Sequence, residues 1–385
     1  MQTPPLERDG LMAAASAAAG LDDYGDLYFV EALDQLIASL EKDAKINEAG
    51  RKTRALQYTN ILINRLRAED HFKRFPEILE QDIAVDAVIV GLPRTGSTML
   101  HRLLAADPGN TAMTMWEGFN PSPFPGEERG HPVKRHKAGE RSAQHINDSS
   151  PGFDAIHEVD PYAAEEEILL LEHTFMSSVA ESAFYVPTYG EWLMATDQTP
   201  AYEDLKRFLK FLQWQDPARA GKRWVLKTPQ HVPLVDVVLK VFPGAKIIMT
   251  HRDPVQTVPS FCSMVSSYSM PWTDARDEKA IGAYWNHRLK WNLEQFMDKR
   301  AAIGEAPFID ADYRDTLKDP IGTARKVYEH LGRGLDPSSE QVMRDWSDEN
   351  QKDKHGKHAY TAEQFGLTDE GIAKDFAFYR DRFIV

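Results

Sequence analysis

The sequence is poor in cysteine, in basic charge and in long apolar runs. Its 385 residues include a single cysteine, Cys262, so an internal disulfide is excluded. The 45 lysines and arginines are outnumbered by 59 aspartates and glutamates, which gives a formal net charge of −14. This balance argues against a nucleic-acid-binding protein, which would usually present a basic surface. No run approaches the roughly 18–20 apolar residues that a membrane helix needs.

A secretory leader is not indicated either. The stretch Leu11–Gly20 is rich in alanine rather than leucine, and the residues before it include Glu7 and Asp9, whereas a signal peptide begins with positive charge. We therefore expect a cytoplasmic protein without a transmembrane segment. The hydrophobic fraction of 42% and the charged fraction of 27% are typical of a globular chain rather than a disordered one.

Helical periodicity dominates the first 84 residues, where apolar side chains such as Phe29, Leu33 and Leu36 recur at the spacing of one helix face. From residue 85 onward, short β-branched runs are each followed by a helical pattern. Such runs are typical of buried parallel strands. Four of them predict strands, over Val85–Val90, Trp224–Leu226, Lys246–Thr250 and Pro307–Ile309.

Strands that alternate with helices are typical of a doubly wound parallel sheet, which binds ligands at its carboxyl edge. We therefore predict an α/β protein whose central parallel β-sheet is flanked by helices. Residues 1–84 would form a helical amino-terminal region, and residues 85–385 an α/β domain with a helical cap inserted around 120–220. Within that insertion, Asn120–Ser150 is rich in proline, glycine, histidine and charge, which predicts a loop.

A glycine-containing turn joins the first predicted strand to the helix that we expect over Thr95–Ala106. Its sequence is Gly91-Leu92-Pro93-Arg94-Thr95-Gly96-Ser97-Thr98. A helix start offers unpaired N–H groups and the positive end of its dipole to an anion, and glycines let the backbone approach that anion. An ordinary strand–helix connection with a hydroxyl cap would also suit these residues. The strand, the glycines, the hydroxyls and Arg94 together favour anion binding.

The turn lacks the lysine that nucleoside triphosphatases use. Their pattern, G-x-x-x-x-G-K-[ST], requires lysine where this chain has Ser97, and the turn's cation is Arg94, three positions earlier. The side chain that would reach the β- and γ-phosphates is therefore missing. This departure disfavours a magnesium–triphosphate site and favours a smaller anion.

Two separated motifs resemble those of the sulfotransferases that use 3′-phosphoadenosine 5′-phosphosulfate (PAPS). Pro93–Thr98 matches their 5′-phosphosulfate loop, P-[KR]-[ST]-G-[ST]-T, at every position. Arg252 follows the third predicted strand, and with Ser260 it matches the pair that contacts the 3′-phosphate in this family. The resemblance covers the chain from about Val85 to its carboxyl terminus and is to the bacterial branch, with a tyrosylprotein-sulfotransferase-like loop. It implies the P-loop-like sulfotransferase fold.

The resemblance also implies roles for individual residues. Arg94 and Lys227 would be the catalytic cations, placed on the transferring sulfonate and the bridging oxygen. A basic loop near the carboxyl terminus, which contains Lys354 and Lys357, would close over the 3′-phosphate. The cofactor-binding residues implied in this way are Arg94, Thr95, Gly96, Ser97, Thr98, Arg252, Ser260, Lys354 and Lys357.

The sequence offers three candidates for the catalytic base. Glu117 corresponds in order and spacing to the glutamate base of the tyrosylprotein-like members, but it could also be a carboxylate paired structurally with an arginine. His231 and His251 are the alternatives, because imidazole titrates near neutrality. The run Glu165–Glu167 most simply predicts a solvent-facing helix surface.

The resemblance thus implies transfer of a sulfuryl group from PAPS to an acceptor hydroxyl, with release of adenosine 3′,5′-bisphosphate. No metal is expected, because the histidines between 131 and 157 fit no structural zinc spacing and H-E-x-x-H does not occur. The acceptor would be a small molecule, a lipid or a carbohydrate, and the oligomeric state is left open. The alternatives are a kinase with a degenerate phosphate loop and a binding protein without catalysis.

Overall fold

Five parallel strands form the centre of the protein. The computed structural model describes residues 3–149, 159–274, 276–350 and 360–384. The strands lie side by side in the order β2-β3-β1-β4-β5. Their bounds are Ala84–Gly91 (β1), Asn110–Thr111 (β2), Arg223–Lys227 (β3), Lys246–His251 (β4) and Phe308–Asp312 (β5).

The β1 strand occupies the middle of the sheet because its sequence is apolar on both faces. Val88 pairs with Leu226 of β3 on one side and with Ile247 of β4 on the other, and all three side chains are buried. The strand pairs are all parallel, so their carboxyl ends share one edge. The predicted α/β class with a central parallel sheet is confirmed, and the four predicted strands correspond to β1, β3, β4 and β5. The two-residue strand β2 was not predicted.

Eighteen α-helices surround this sheet within the described residues, joined by several short 3₁₀ and π turns. The helices that precede β3 are α1 (Arg8–Ala19), α2 (Phe29–Ser39), α3 (Glu48–Arg74), α4 (Ser97–Ala105), α5 (Met115–Phe119), α6 (Val133–Ser149), α7 (Ile168–Leu171), α8 (Val179–Ala183), α9 (Pro187–Ala195) and α10 (Thr199–Gln215), and the helical cap around 120–220 stays a prediction. The later helices are α11 (Val235–Val241), α12 (Pro254–Ser269), α13 (Glu278–Ile303), α14 (Tyr313–Lys318), α15 (Pro320–His330), α16 (Pro337–Glu349), α17 (Asp369–Asp375) and α18 (Ala377–Phe383). None of the helices in these ranges is long and apolar enough to cross a membrane.

The loop predicted over Asn120–Ser150 is wrong for its second half, which is the helix α6. Although this segment is polar in composition, one of its side chains makes a buried contact. The Arg135 side chain is almost fully buried, forms an ion pair with Glu127 at 2.9 Å and lies 5.2 Å from the centre of the Trp116 ring. This contact is made by tertiary packing, so the composition of the segment does not report it.

The amino-terminal helices pack into the same hydrophobic core as the cap and one face of the sheet. A buried ion pair crosses this interface: Arg65 of α3 donates to Asp204 of α10 at 2.8 Å, and their side chains are 2% and 8% exposed. Arg65 also donates to the backbone carbonyls of Tyr24 and Asp26. The hydrophobic core is continuous across residue 84. The predicted division of the chain at that residue stays a prediction.

Replacement of Arg65 by leucine is expected to lower the free energy of unfolding by about 3–5 kcal/mol, because removal of one partner of a buried ion pair leaves the other charge under-compensated. Urea unfolding followed by circular dichroism measures the change. Arg8→Ala, which breaks a partly exposed pair with Asp34, is the control and is expected to have a much smaller effect. Equal losses in the two variants would contradict the importance of the buried pair.

Candidate active site

The turn between β1 and α4 has a backbone that two glycines and one arginine make possible. Gly96 has a φ of 81°, and a Cβ added there would lie 2.8 Å from the Tyr313 ring. A Cβ added at Gly91 would lie 2.2 Å from the Thr250 hydroxyl. Arg94 has a φ of 72°, which is uncommon for a residue with a side chain. The turn is therefore tightly seated on the end of β4, and its shape is one that few sequences can adopt.

The start of α4 is open to an anion. Gly96 is its N-cap, and no side chain caps the first turn, so its N–H groups keep their capacity to bind a ligand. The Thr95 hydroxyl is committed inside the protein, because it donates to the carbonyl of Leu92 at 2.7 Å and meets the Thr250 hydroxyl at 2.7 Å. Ser97 and Thr98 line the adjoining cavity. The predicted phosphate turn thus has the backbone form of an anion cradle.

The two predicted nucleotide motifs meet at this turn. Arg252 follows β4 and donates to the backbone carbonyl of Arg94 at 2.9 Å, and its guanidinium lies 4.4 Å from the centre of the Tyr313 ring. Arg94 Nε donates to the Ser260 hydroxyl of α12 at 3.3 Å. Burial lowers the pKa of Arg94, and the charge of Arg252 acts in the same direction. Two guanidinium groups held this close favour a bound anion between or beside them.

Lys227 ends β3 and points into the same corner. Its side chain is 1% exposed, and its ammonium group donates to the Thr98 hydroxyl at 3.1 Å and to the Glu166 carboxylate at 2.5 Å. Lysine is rarely buried so deeply unless it is paired. The structure therefore brings the predicted cation Lys227 to the phosphate turn and adds a carboxylate beside it.

The solvent-facing surface predicted for Glu165–Glu167 is wrong, because Glu165 and Glu167 are 4% and 1% exposed. Glu167 accepts a hydrogen bond from the backbone N–H of Lys227 at 2.9 Å, and its other oxygen is hydrogen-bonded to His231. Although burial acts to raise it, the contact with His231 leaves the pKa of Glu167 below its usual value. The acidic run is thus fixed to the end of β3, and Glu166 is held facing the turn.

The two histidines considered as bases are both committed elsewhere. His231 is fully buried between Glu167 and the Tyr202 hydroxyl, which lies 2.7 Å from its Nδ1. His251 is 2% exposed, with Tyr379 at Nδ1 and Asp310 at Nε2. Both ring nitrogens of each imidazole are occupied, and neither residue lines the cavity described below. Neither imidazole therefore presents a ring nitrogen to the cavity, and their role as alternative bases stays a prediction.

Glu117 also lies outside the cavity lining, and its role as the base stays a prediction. It is 3% exposed and its carboxylate caps α5, accepting hydrogen bonds from the N–H and the hydroxyl of Thr114 at 2.9 Å each. Arg219 donates to the same oxygen at 2.8 Å. The carboxylate therefore makes a helix cap and a buried ion pair instead of facing the cavity. This ion pair is the structural pairing with an arginine that the sequence analysis considered for Glu117. Lys354 and Lys357 lie outside the described residues.

A cavity of about 260 Å³ adjoins the turn. One end is polar, with Arg94, Ser97, Thr98 and Glu166. Most of the remaining lining is apolar, and representative side chains are Met115, Phe119, Leu169, Phe261, Met264 and Trp285. Enclosed, largely apolar pockets with a few convergent polar groups are the usual form of small-molecule sites. No group of three or more side chains in the part of the chain that the structure describes could hold a metal ion.

Sequence reasoning missed several polar residues of this cavity, among them Gln57, Glu166 and Glu172. Gln57 lies on α3, in the region that the resemblance did not cover. For Glu166, a signal was present: the acidic run directly precedes the four apolar residues Ile168–Leu171, which is unusual for a solvent-facing surface. No signal in the sequence distinguishes Gln57 or Glu172 from the polar residues around them.

Comparison with known proteins points to the same family as the two sequence motifs. Residues 86–337 match the pattern described as the sulfotransferase family. The chain is 29% identical over 296 residues to the omega-hydroxy-beta-dihydromenaquinone-9 sulfotransferase Stf3 of Mycobacterium tuberculosis, covering 73% of this chain and 71% of that protein. The same figures hold for the Stf3 of Mycobacterium bovis.

Two solved structures share the whole architecture. Sulfotransferase STF1 from Mycobacterium tuberculosis is 30% identical, with a TM-score of 0.85 over 98% of this chain and 100% of that chain. Sulfotransferase STF9 from Mycobacterium avium is 25% identical, with a TM-score of 0.87 over 98% of this chain and 96% of that chain. The family pattern spans well over half of the sequence, and its match includes the phosphate turn, Lys227 and Arg252. This chain therefore belongs to the sulfotransferase family of enzymes.

Proposed function

We propose that the protein transfers a sulfuryl group from PAPS to the hydroxyl of an apolar small molecule or lipid and releases adenosine 3′,5′-bisphosphate. The observation that carries this proposal is the convergence of Arg94, Lys227 and Glu166 at the polar end of an apolar cavity. The donor would supply the activated sulfuryl group. The protein would position the two reactants, stabilise the negative charge that develops and accept a proton. Enzymes of phosphoryl transfer do the same.

This proposal assigns one set of donor-binding residues to each end of a doubly phosphorylated adenosine. The open N–H groups of α4, together with Ser97 and Thr98, would hold the 5′ end, and Arg252 with Ser260 would hold the 3′-phosphate. Gly91 and Gly96 allow the turn to keep this shape, since a Cβ at either position would clash with Thr250 or Tyr313. Thr95 contributes its backbone, because its hydroxyl is committed internally. Lys354 and Lys357 remain candidates for the 3′-phosphate.

We propose Glu166, in place of Glu117, as the base. Its carboxylate lines the cavity and lies 2.5 Å from Lys227 Nζ, so an acceptor hydroxyl at the polar end would be within its reach. Glu166 would take the hydroxyl proton as the acceptor oxygen forms its bond to sulfur. Lys227 and Arg94 would offset the negative charge that develops on the leaving phosphate oxygen.

The apolar walls of the cavity favour an apolar acceptor over a carbohydrate, because sugar hydroxyls would lose water there without enough replacement hydrogen bonds. The name of the mycobacterial relative gives an omega-hydroxy menaquinone derivative as the acceptor of that protein. By analogy, we propose a hydroxylated, largely hydrocarbon acceptor for this chain. The cytoplasmic location stays a prediction.

Adenosine 3′,5′-bisphosphate is expected to raise the thermal unfolding midpoint at concentrations where ATP with magnesium does not, because only the former matches both cradles. Differential scanning fluorimetry measures the midpoints. Turnover of PAPS with decanol, followed as bisphosphate release, is expected to persist in the presence of a chelator. Stabilisation by ATP with magnesium alone would support the kinase instead, and bisphosphate binding without turnover of any alcohol would support a binding protein.

Arg252→Ala is expected to weaken adenosine 3′,5′-bisphosphate by at least about tenfold, since a hydrogen bond to a charged group contributes about 1.5–3 kcal/mol. The affinity for adenosine 5′-phosphosulfate, which has no 3′-phosphate, is expected to change much less. Isothermal titration calorimetry with both nucleotides gives the comparison, and the partly exposed Arg344→Ala serves as the control. Equal losses for the two nucleotides would contradict the assignment of Arg252.

Glu166→Gln is expected to lower kcat by about 100- to 10,000-fold, the range that general base catalysis contributes, while bisphosphate affinity stays near that of the wild type. The matched variant Glu117→Gln is expected to lower the thermal midpoint and to keep most of kcat, because it disrupts a cap and an ion pair. Bisphosphate release in the presence of decanol measures both. A larger loss of kcat in Glu117→Gln than in Glu166→Gln would restore Glu117 as the base.

A further inference from the structure

A second polar pair lies in the cavity and is not used by the proposed chemistry. Gln57 of α3 and Glu172, which directly follows α7, both line the cavity, and Gln57 Nε2 donates to Glu172 Oε1 at 2.6 Å. The other carboxyl oxygen, Oε2, has no hydrogen-bond partner among the described residues. One oxygen of the pair is therefore left to bind a ligand that enters the cavity.

The pair is separate from the polar end where the reaction is proposed. Glu172 is six positions after Glu166, and α7 lies between them. Between the two glutamates, the four residues of α7 contribute roughly 6 Å of separation at a helical rise of 1.5 Å per residue. Ile168 and Leu169 of α7 line the cavity between the two glutamates. A molecule that reached both glutamates would thus lie along an apolar wall.

Packing alone does not require a carboxyl group at this position. A buried polar group costs stability unless its hydrogen bonds are made, and the nearby cavity walls formed by Ile168 and Leu169 are apolar. Burial raises the pKa of Glu172 to about 7, although Arg54 acts in the opposite direction. Near neutral pH the carboxyl group is therefore protonated in a large share of molecules, and in that form it can donate a hydrogen bond as well as accept one.

We propose that Glu172 and Gln57 form a second anchor for the acceptor, which binds a neutral oxygen function, a hydroxyl or a carbonyl, on the same apolar molecule whose hydroxyl is sulfated. This inference rests on the proposed function and narrows its substrate class to acceptors with two oxygen functions separated by hydrocarbon. A cationic group is disfavoured at the anchor, because the positive charge of Arg54 already acts on Glu172.

The test compares acceptors that differ at one end only. Primary alcohols, α,ω-diols and ω-hydroxy methyl ketones of about six to twelve carbons bracket the separation of the two glutamates. Bisphosphate release gives kcat/KM for each compound. In the wild type, the diol or the hydroxy ketone of the fitting length is expected to exceed the matching alcohol by about tenfold, which corresponds to one net hydrogen bond of about 1.4 kcal/mol. The diol and ketone arms distinguish the hydroxyl from the carbonyl.

Variants assign this preference to the anchor. Glu172→Leu is expected to bring the ratio of diol or ketone to alcohol close to one, with the loss mainly in KM, and Glu172→Gln is expected to recover part of it because an amide still hydrogen-bonds. Ser182→Ala is the control: its hydroxyl lines the cavity but donates to the carbonyl of Ser178 in its own helix, so the ratio is expected to persist.

The outcomes separate this inference from the proposed function. Turnover of the simple alcohols without any preference for a second oxygen at any length would overturn the anchor and leave the proposed function standing. A preference that survives in Glu172→Leu would also overturn it. Absence of turnover with every alcohol, in protein that still binds adenosine 3′,5′-bisphosphate, would overturn the proposed apolar acceptor and the anchor with it.

Discussion

A single buried ammonium group ties together the three parts of the site. Lys227 Nζ contacts Thr98 at the start of α4 and Glu166 in the cap, and the backbone N–H of the same residue contacts Glu167. An unpaired ammonium group would be costly at this depth, so the sheet edge, the phosphate turn and the cap must come together for the site to form. The geometry of the candidate active site is therefore also a condition for the stability of this corner.

Positive charge is concentrated at the phosphate turn. Arg94 and Arg252 lie together, burial lowers the pKa of Arg94, and the Glu166 carboxylate lies beside Lys227. The basic corner stands out in a chain whose formal net charge is −14. An anionic ligand would relieve the repulsion between the two guanidinium groups. The site thus has a specific electrostatic reason to bind a multiply charged nucleotide in an otherwise acidic protein.

The sequence predicted the features that are encoded locally. The apolar run of β1, the glycines of the turn and the arginine after β4 each lie within a short segment, and the structure brings them together as the parallel sheet requires. Glu166 and Glu172 were missed because their roles depend on how the cap folds over the sheet. Glu117 matched a family spacing, but the partner that engages it, Arg219, is 102 positions away and cannot be identified from local pattern.

The backbone of Arg94 has a consequence for how such a protein can evolve. A left-handed conformation costs a side-chain-bearing residue roughly 1–2 kcal/mol, a cost that glycine would not carry. Selection for thermostability alone would therefore favour glycine at position 94, and selection for turnover would oppose it. Backbone stability and catalysis thus make opposite demands at this position.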